Sequence, residues 1–196
     1  MSVGMTAMAN ATLTKSRATL ADLHREEGKA ELIGGRIVRF MPTGDWPSLI
    51  GGEIFVSLRL YSRKKKKGRA YPDGVGYAIS KLQSGRESFS PDASLFLGRS
   101  KPKNMRFIDG VPIFAAEVRS DNDYGPLAEL QLAAKRADYF AAGTQVVWDV
   151  NPKAETVTVD RFDAPTEPKV YRRGASADAE PALPGWCMAV DDVFDV

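Results

Sequence analysis

The chain has 196 residues and a net charge of +2, and its hydrophobic and charged fractions of 43% and 27% are typical of a globular protein. That length predicts one domain, which we expect over residues 16–196, behind a mobile N-terminal segment over residues 1–15. The single cysteine and single histidine, Cys187 and His24, exclude an internal disulfide and the usual zinc clusters, so carboxylates and lysines would have to carry any catalysis.

Three elements are predicted in the first third of the chain. A short polar helix covers residues 19–27. Gly34-Gly35 lies between two short apolar runs and predicts a β-hairpin of residues 31–33 and 36–40. Apolar residues at helical spacing then predict a helix over residues 48–65, with Gly68 as its stop.

Strands and one long helix follow. Strands are predicted over residues 69–79, 93–97, 113–118, 146–148, 156–162 and 169–171. The helix begins at Pro126 and ends at Gly143. Its predicted core face consists of Leu127, Leu130, Ala134, Ala137 and Phe140 or Ala141. The fold class is therefore α/β or α+β: a mixed sheet flanked by helices, with a parallel βαβ unit, an N-terminal hairpin and a β-rich C-terminal part.

A basic run ends the helix over residues 48–65 and consists of Lys64, Lys65, Lys66 and Lys67. Cations stabilise the C-terminus of a helix, which explains the run without any ligand. The same run is suited to binding the phosphate backbone of DNA. The two interpretations are compatible, and both stay open.

Two acids lie where predicted strands begin or end. Asp92 follows a proline at the start of one strand, and Glu117 follows the apolar residues of another. Because side chains alternate along a strand, Ile113, Ala115 and Glu117 share one face. Burying a carboxylate without a partner is costly, so we expect a metal ion or a lysine, such as Lys135 on the next helix, beside Glu117.

Each of these residues also has a structural interpretation. A Pro-Asp pair is common in turns, an acid that ends a strand can cap a loop, and Lys135 can pair with Asp138 or Gln131 on the solvated side of its helix. Two strand-borne acids with one lysine are nevertheless the minimal set for metal-dependent phosphodiester cleavage. Carboxylates bind hard divalent cations, and an ammonium can position water or offset phosphate charge.

The order of these motifs resembles a known superfamily. Pro91-Asp92 followed by Glu117-Val118-Arg119-Ser120 is similar to the signature of the PD-(D/E)XK nucleases. Over residues 25–175 the chain resembles more narrowly the bacterial restriction-endonuclease branch called Uma2. The segments that carry this likeness are the hairpin from Glu31 to Val38, the helix with Lys135 and Tyr139, and the strand from Trp148 to Pro152. The chain departs from the pattern at Arg119, where the superfamily has a lysine, and at Trp46-Pro47-Ser48, where the branch tends to have a histidine.

The resemblance implies a site. Asp92 and Glu117, with the backbone carbonyl of Val118, would hold Mg²⁺ or Mn²⁺, and Lys135 would be the catalytic lysine supplied from the helix. The secondary candidates are Glu31, Glu53, Arg119 and Tyr139.

The implied function is metal-dependent endonuclease cleavage of DNA, with homodimer formation left open. The alternative is a nuclease fold that binds nucleic acid or a protein partner without strong catalysis, which the two departures favour. A small-molecule binding domain has little support. No apolar run approaches the roughly 20 residues of a membrane span, and residues 1–13 lack a signal-peptide pattern. We therefore expect a cytoplasmic protein with no membrane partner.

Overall fold

The computed structural model describes residues 17–98 and 105–196, so the predicted N-terminal segment over residues 1–15 lies outside the described residues. The helices are α1 (Leu20–Leu23), α2 (Asp45–Lys65), α3 (Pro126–Ala142) and α4 (Val190–Phe194). The strands are β1 (Ala30–Ile33), β2 (Arg36–Arg39), β3 (Arg69–Pro72), β4 (Tyr77–Ala78), β5 (Ser88–Phe89), β6 (Ala93–Phe96), β7 (Ile108–Asp109), β8 (Phe114–Val118), β9 (Val146–Asn151), β10 (Thr156–Arg161), β11 (Lys169–Arg172), β12 (Ser176–Asp178) and β13 (Cys187–Ala189).

The central sheet has six strands in the order β11-β10-β9-β8-β6-β3. Strands β8 and β9 are parallel and are joined by α3, whereas the other neighbours are antiparallel. The hairpin β1–β2, the pair β12–β13 and the three-stranded sheet β5-β4-β7 lie outside this sheet. The predicted mixed sheet, parallel βαβ unit, N-terminal hairpin and β-rich C-terminal part are confirmed.

The two faces of β8 pack against different helices. Phe114 is fully buried in the main hydrophobic core with Ile50 of α2. Ala115, the next residue, belongs to a second core with Tyr139 of α3. Since side chains alternate along a strand, Glu117 lies on the α3 side, where it accepts a hydrogen bond from Tyr139.

The hairpin turn is formed by Gly34 and Gly35, as predicted. Their φ angles of 59° and 72° lie in the left-handed region, which glycine adopts without strain. The backbone N–H of Gly34 donates to the carbonyl of Gly85 at 2.8 Å, and that of Leu32 donates to Ser88 Oγ at 2.7 Å. These bonds hold β1 against the segment that leads into β5.

Helix α2 begins three residues earlier than expected and ends at Lys65, as predicted. It starts at Asp45 because Pro47 falls in the first turn, where no backbone N–H is needed. The residue that ends it is Lys66, which adopts a left-handed conformation with φ 52°, and not Gly68 as expected. The basic run is exposed at this end.

Helix α3 has the predicted limits, but its predicted core face is wrong except at Phe140, which packs against the second core. Leu127 and Leu130 are 70% and 69% exposed, and the three alanines of the predicted face are exposed too. The face that packs on the sheet carries Lys135 and Tyr139 instead. The face of β8 that α3 covers carries the carboxylate of Glu117, so α3 presents hydrogen-bond donors to it.

The predicted strand over residues 69–79 is also wrong, because the chain turns after β3. Asp73 and Gly74 form this turn, with φ 86° at Gly74. The chain then enters β4, which belongs to a different sheet. The turn leaves Asp73 at the end of β3, close to Lys29.

Candidate active site

Asp92 is held at the end of β8 by two backbone contacts. Its own N–H donates to the carbonyl of Ala116 at 3.1 Å, and its Oδ2 accepts the N–H of Val118 at 2.8 Å. The side chain is buried, with only 8% of the residue exposed. Since Glu117 lies between these two β8 residues, Asp92 and Glu117 become neighbours.

Lys29, which no sequence pattern singled out, is the cation beside Asp92. Its Nζ lies 2.6 Å from Asp92 Oδ1 and 2.7 Å from Asp73 Oδ1. Burial alone lowers the pKa of Lys29, but the charges of Asp92 and Glu117 outweigh burial and raise it. The lysine is 63 residues from Asp92 along the chain, so no local pattern connects the two.

Glu117 accepts two hydrogen bonds from α3. Lys135 Nζ donates to Oε2 at 2.8 Å, and the Tyr139 hydroxyl donates to Oε1 at 2.6 Å. Burial raises the pKa of Glu117, the Lys135 ammonium opposes this, and the negative charge of Asp92 adds to the increase. The structure thus brings Asp92, Glu117 and Lys135 together.

Glu31 is the third acid of the cluster and is 1% exposed. Its Oε1 accepts the N–H of Ser90 at 3.0 Å and lies 3.3 Å from Lys135 Nζ, and its Oε2 pairs with Arg86. Burial raises the pKa of Glu31, but the charges of Lys135 and Arg86 lower it overall. Arg86 also donates to Asp138 at 2.8 Å. Arg86 is absent from the sequence-based candidates because it follows a glycine turn without any distinguishing pattern.

Tyr139 lies one turn beyond Lys135 on α3 and donates to the same carboxylate, Glu117. Its ring stacks on Phe89 with 4.0 Å between centroids and 13° between planes. Burial raises the pKa of Tyr139, and the charge of Glu117 raises it further, so the hydroxyl stays protonated and donates. The Lys135 pKa, which burial alone lowers, is raised overall by Glu117 and Glu31.

The cluster as a whole is negatively charged. Five carboxylates, Asp73, Asp92, Glu117, Glu31 and Asp138, meet three cations, Lys29, Arg86 and Lys135. The excess of two negative charges matches one divalent ion, and carboxylate oxygens are the ligands that Mg²⁺ and Mn²⁺ prefer. Within residues 17–98 and 105–196, no group of three or more acidic, histidine or cysteine side chains has the geometry of a complete metal site. Asp92 and Glu117 have the donor type that Mg²⁺ and Mn²⁺ prefer, but a complete site would need further ligands from backbone or water.

Arg119 lies outside this cluster. Its Nε and Nη2 each lie 2.7 Å from an oxygen of Asp149 on β9, and its Nη1 pairs with Glu129 of α3. Hydrogen bonds to Asp149 raise the pKa of Arg119 still further, although burial opposes them. The guanidinium ties β8, β9 and α3 together, and the structure does not bring it to Glu117.

The remaining candidates also lie apart from the acids. Glu53 is exposed on α2, and in the part of the chain that the structure describes no hydrogen bond or ion pair joins it to the cluster. The backbone of α2 approaches Asp92 at Gly51, where an added Cβ would lie 3.6 Å from Asp92 Cβ. The basic run, Lys64 to Lys67, begins about 20 Å farther along the helix axis at the usual rise per residue.

Comparison with known proteins identifies the family. Residues 17–191 match the family model described as "Uma2: Putative restriction endonuclease". The chain belongs to the Uma2 family. Its structure is similar to the crystal structure of "a putative nuclease belonging to DUF820" from Anabaena variabilis ATCC 29413, with a TM-score of 0.69 and 21% identity over 90% of this chain and 97% of that chain. No curated protein matches the chain.

Membership of the Uma2 family and this structural likeness confirm the predicted resemblance and the restriction-endonuclease-like fold. They support a nuclease function in general terms, with nucleic acid as the substrate class. None of the described helices of this Uma2 chain is both long and apolar enough to span a membrane.

Proposed function

We propose that this Uma2 protein is a metal-dependent endonuclease that hydrolyses phosphodiester bonds of DNA. One observation carries the proposal. The buried carboxylate of Asp92 and the half-buried carboxylate of Glu117 lie near each other at the end of β8, and the ammonium of Lys135 donates to Glu117 at 2.8 Å. Carboxylates and a lysine in contact are the groups that metal-dependent phosphodiester hydrolysis needs.

Asp92 and Glu117 would be the metal ligands, together with the backbone carbonyl of Val118. The chemistry supplied by bound Mg²⁺ or Mn²⁺ would be polarisation of the phosphate and a lower pKa of the attacking water. The N–H of Val118 fixes one oxygen of Asp92, at 2.8 Å. Tyr139 fixes one oxygen of Glu117, at 2.6 Å. Both acids are thereby oriented before any ligand arrives.

Lys135 would orient the water or offset the charge of the transition state. It is held for this role by Glu31 on one side and Glu117 on the other, at 3.3 Å and 2.8 Å. Arg86 neutralises the second oxygen of Glu31. Lys135 therefore remains charged and within reach of the carboxylate that it serves.

The basic run at the end of α2 would bind the phosphate backbone away from the point of cleavage. Its four lysines are exposed, and they would add a salt-dependent, sequence-independent contribution to DNA affinity. A cytoplasmic location and a homodimer remain predictions about the same protein.

The alternative is a nuclease fold that binds nucleic acid or a protein partner without catalysis. A specific observation favours it: both oxygens of Asp92 and both oxygens of Glu117 already accept a hydrogen bond from the protein. A metal ion has to compete with these donors. A module with no metal affinity would keep this arrangement permanently.

The test is cleavage of supercoiled plasmid, single-stranded DNA and RNA by the purified protein with Mg²⁺ or Mn²⁺, over a series of salt concentrations. We expect nicking of DNA that EDTA abolishes and that Asp92→Asn removes. Glu53→Gln, an acid exposed outside the cluster, is the matched control and should retain activity. Intact nucleic acid under all conditions, together with an absence of Mn²⁺ binding by calorimetry, would establish the non-catalytic alternative.

A further inference from the structure

Lys29 lies between two carboxylates that come from different parts of the fold. Its Nζ is 2.6 Å from Asp92 Oδ1 and 2.7 Å from Asp73 Oδ1. The lysine precedes β1, Asp73 lies in the turn after β3, and Asp92 precedes β6. The carbonyl of Lys29 accepts the N–H of Phe40 at 2.9 Å, so the hairpin holds its backbone. The ammonium therefore bridges a candidate metal ligand and an acid that we have not placed among the ligands.

Asp73 is oriented by donors of its own. Its Oδ1 accepts the N–H of Gly74 at 2.7 Å, and its Oδ2 accepts the hydroxyl of Thr43 at 3.0 Å. Neither of these contacts involves Lys29 or Asp92. Asp73 is thus a fixed acceptor for one end of Lys29, next to the site but at its more exposed edge.

The oxygen that Lys29 holds is the one that a metal ion needs. Asp92 Oδ2 is used by the N–H of Val118, which leaves Oδ1, and the Lys29 ammonium lies against Oδ1. A cation at hydrogen-bonding distance from a ligand oxygen repels a second cation there. If the lysine left Asp92 entirely, a buried ammonium without a partner would be costly. The contact with Asp73 removes that cost.

We infer that Lys29 and Asp73 form a cation-exchange pair for the metal site. Lys29 neutralises Asp92 in the metal-free protein, and it stays bound to Asp73 alone when a divalent ion takes Asp92 Oδ1. Lys29 is therefore a positioning residue that sets metal affinity, and it is not a catalytic residue. The inference rests on the proposed metal site at Asp92 and Glu117.

Mn²⁺ binding to the full-length protein without nucleic acid tests it, by titration calorimetry with electron paramagnetic resonance of free Mn²⁺ as a second readout. Lys29→Gln should lower the dissociation constant for Mn²⁺ about tenfold, because the competing charge is removed. Lys29→Arg, which keeps the charge, should stay within about threefold of the unaltered protein. Lys81→Gln, an exposed lysine elsewhere, is the matched control and should change nothing.

Asp73→Asn should raise the dissociation constant several-fold, because Lys29 then has only Asp92 as a partner. In a Lys29→Gln background, Asp73→Asn should change the dissociation constant for Mn²⁺ clearly less. No lysine is then present for residue 73 to bind. A merely structural salt bridge would not produce this dependence, since it would lower thermal stability without any coupling in Mn²⁺ affinity.

The outcomes separate the two proposals. If Asp92→Asn abolishes Mn²⁺ binding while Lys29→Gln binds Mn²⁺ no more tightly than the unaltered protein, the metal site stands and the exchange pair is overturned. If the unaltered protein does not bind Mn²⁺, both are overturned. If Lys29→Gln fails to fold, the Asp73→Asn and Lys29→Arg variants still decide the matter: equal Mn²⁺ affinity in Asp73→Asn and the unaltered protein contradicts the inference.

Discussion

Glu117 and Asp149 lie side by side in the parallel register of β8 and β9, yet their carboxylates bind different cations. Glu117 accepts a hydrogen bond from Lys135 at 2.8 Å, whereas both oxygens of Asp149 accept from Arg119 at 2.7 Å. Like charges on adjacent strands repel each other, so each acid needs its own counter-ion. This division assigns the lysine to the candidate site and the arginine to the scaffold.

The division predicts opposite phenotypes for two alanine variants. Lys135→Ala should lower the cleavage rate at least 100-fold, in line with the loss of a group that stabilises the transition state. Arg119→Ala should instead lower the free energy of unfolding by about 1–3 kcal/mol, because it leaves the buried carboxylate of Asp149 with Arg136, at 3.2 Å, as its remaining cation. Cleavage kinetics and urea unfolding of both variants provide the measurement. If Arg119→Ala is inactive but stable and Lys135→Ala has near-normal activity, the catalytic cation is Arg119 and not Lys135.

The two candidate ligands should differ in what they contribute to stability. Asp92→Ala leaves the buried N–H of Val118 without its acceptor and should cost about 1–3 kcal/mol in the free energy of unfolding. Glu117→Gln keeps an acceptor for Tyr139 and removes the charge of a half-buried carboxyl group whose pKa is raised chiefly by desolvation. It should be neutral or stabilising in urea unfolding, while Mn²⁺ binding is lost. A large loss of stability in Glu117→Gln with unchanged Mn²⁺ affinity would make Glu117 a structural residue.

The hydroxyl of Tyr139 can be separated from its ring. Tyr139→Phe retains the stacking on Phe89 but leaves Glu117 Oε1 without its donor, so we expect cleavage to fall about threefold to tenfold and stability by about 1 kcal/mol. Tyr139→Leu also removes the ring and should cost more stability, by roughly a further 1–2 kcal/mol. Steady-state kinetics and thermal melts of the pair measure this. Equal activity of Tyr139→Phe and the unaltered protein would show that the hydroxyl does not position Glu117.

Replacing Asp160 on β10 by asparagine should increase stability in a pH-dependent way. Asp160 is 5% exposed, its Oδ1 lies 3.4 Å from Arg136 Nε, and its Oδ2 has no hydrogen-bond partner among the described residues. Burial raises the pKa of Asp160, Arg136 lowers it in part, and the charge of Asp149 raises it. Above that raised pKa the native protein carries a charge that the fold disfavours, so Asp160→Asn should raise the melting temperature at pH 7.

The gain from Asp160→Asn should shrink as the pH falls from the raised folded-state pKa towards the ordinary aspartate value, because the native carboxyl then takes up its proton first. Thermal melts from pH 4 to pH 8 measure this, with Asp163→Asn as a more exposed aspartate control. A gain that is independent of pH would mean that packing, and not charge, explains it.

The basic run should act on affinity and not on chemistry. Replacing Lys64 and Lys65 by glutamine should weaken DNA binding at low salt and reduce the salt slope of log K by about 0.7–0.9 for each phosphate that the run no longer neutralises. The rate of cleavage at saturating DNA should not change. Lys81→Gln combined with Lys169→Gln, two exposed lysines elsewhere, is the matched control. An unchanged salt slope would show that the basic run does not bind DNA and only stabilises the end of α2.

The elements of the site that sequence could predict are those with a local signal. Gly34-Gly35 specifies a turn, the proline before Asp92 favours a strand entrance, and the apolar run before Glu117 marks a strand end. The catalytic role of Lys135 is predicted only through the family resemblance. Lys29 and Arg86 could not be found in this way, because their partners lie 63 and 55 residues away and the contacts depend on how β1 docks.

Helix α3 shows why the hydrophobic pattern failed. Its strongest apolar stripe, which includes Leu127 and Leu130, faces solvent, because leucine and alanine are also good helix formers on a surface. The inner face departs from the hydrophobic rule at Lys135 and Tyr139, where it meets a carboxylate. A local rule is broken here at the candidate site, which is where such exceptions are expected.

The lysine partners of Asp92 and Glu117 bear on whether folding requires a metal ion. Asp92 already pairs with Lys29 and Glu117 already pairs with Lys135, so each of the two candidate ligands has a counter-ion from the chain itself. Folding should then not require a bound metal ion. Zinc domains whose ligands have no other counter-ions differ in this respect, because they fold only with the metal bound. If the proposed metal site is correct, the chain would complete its fold without a divalent ion, and ion binding would be a later step that only activity requires.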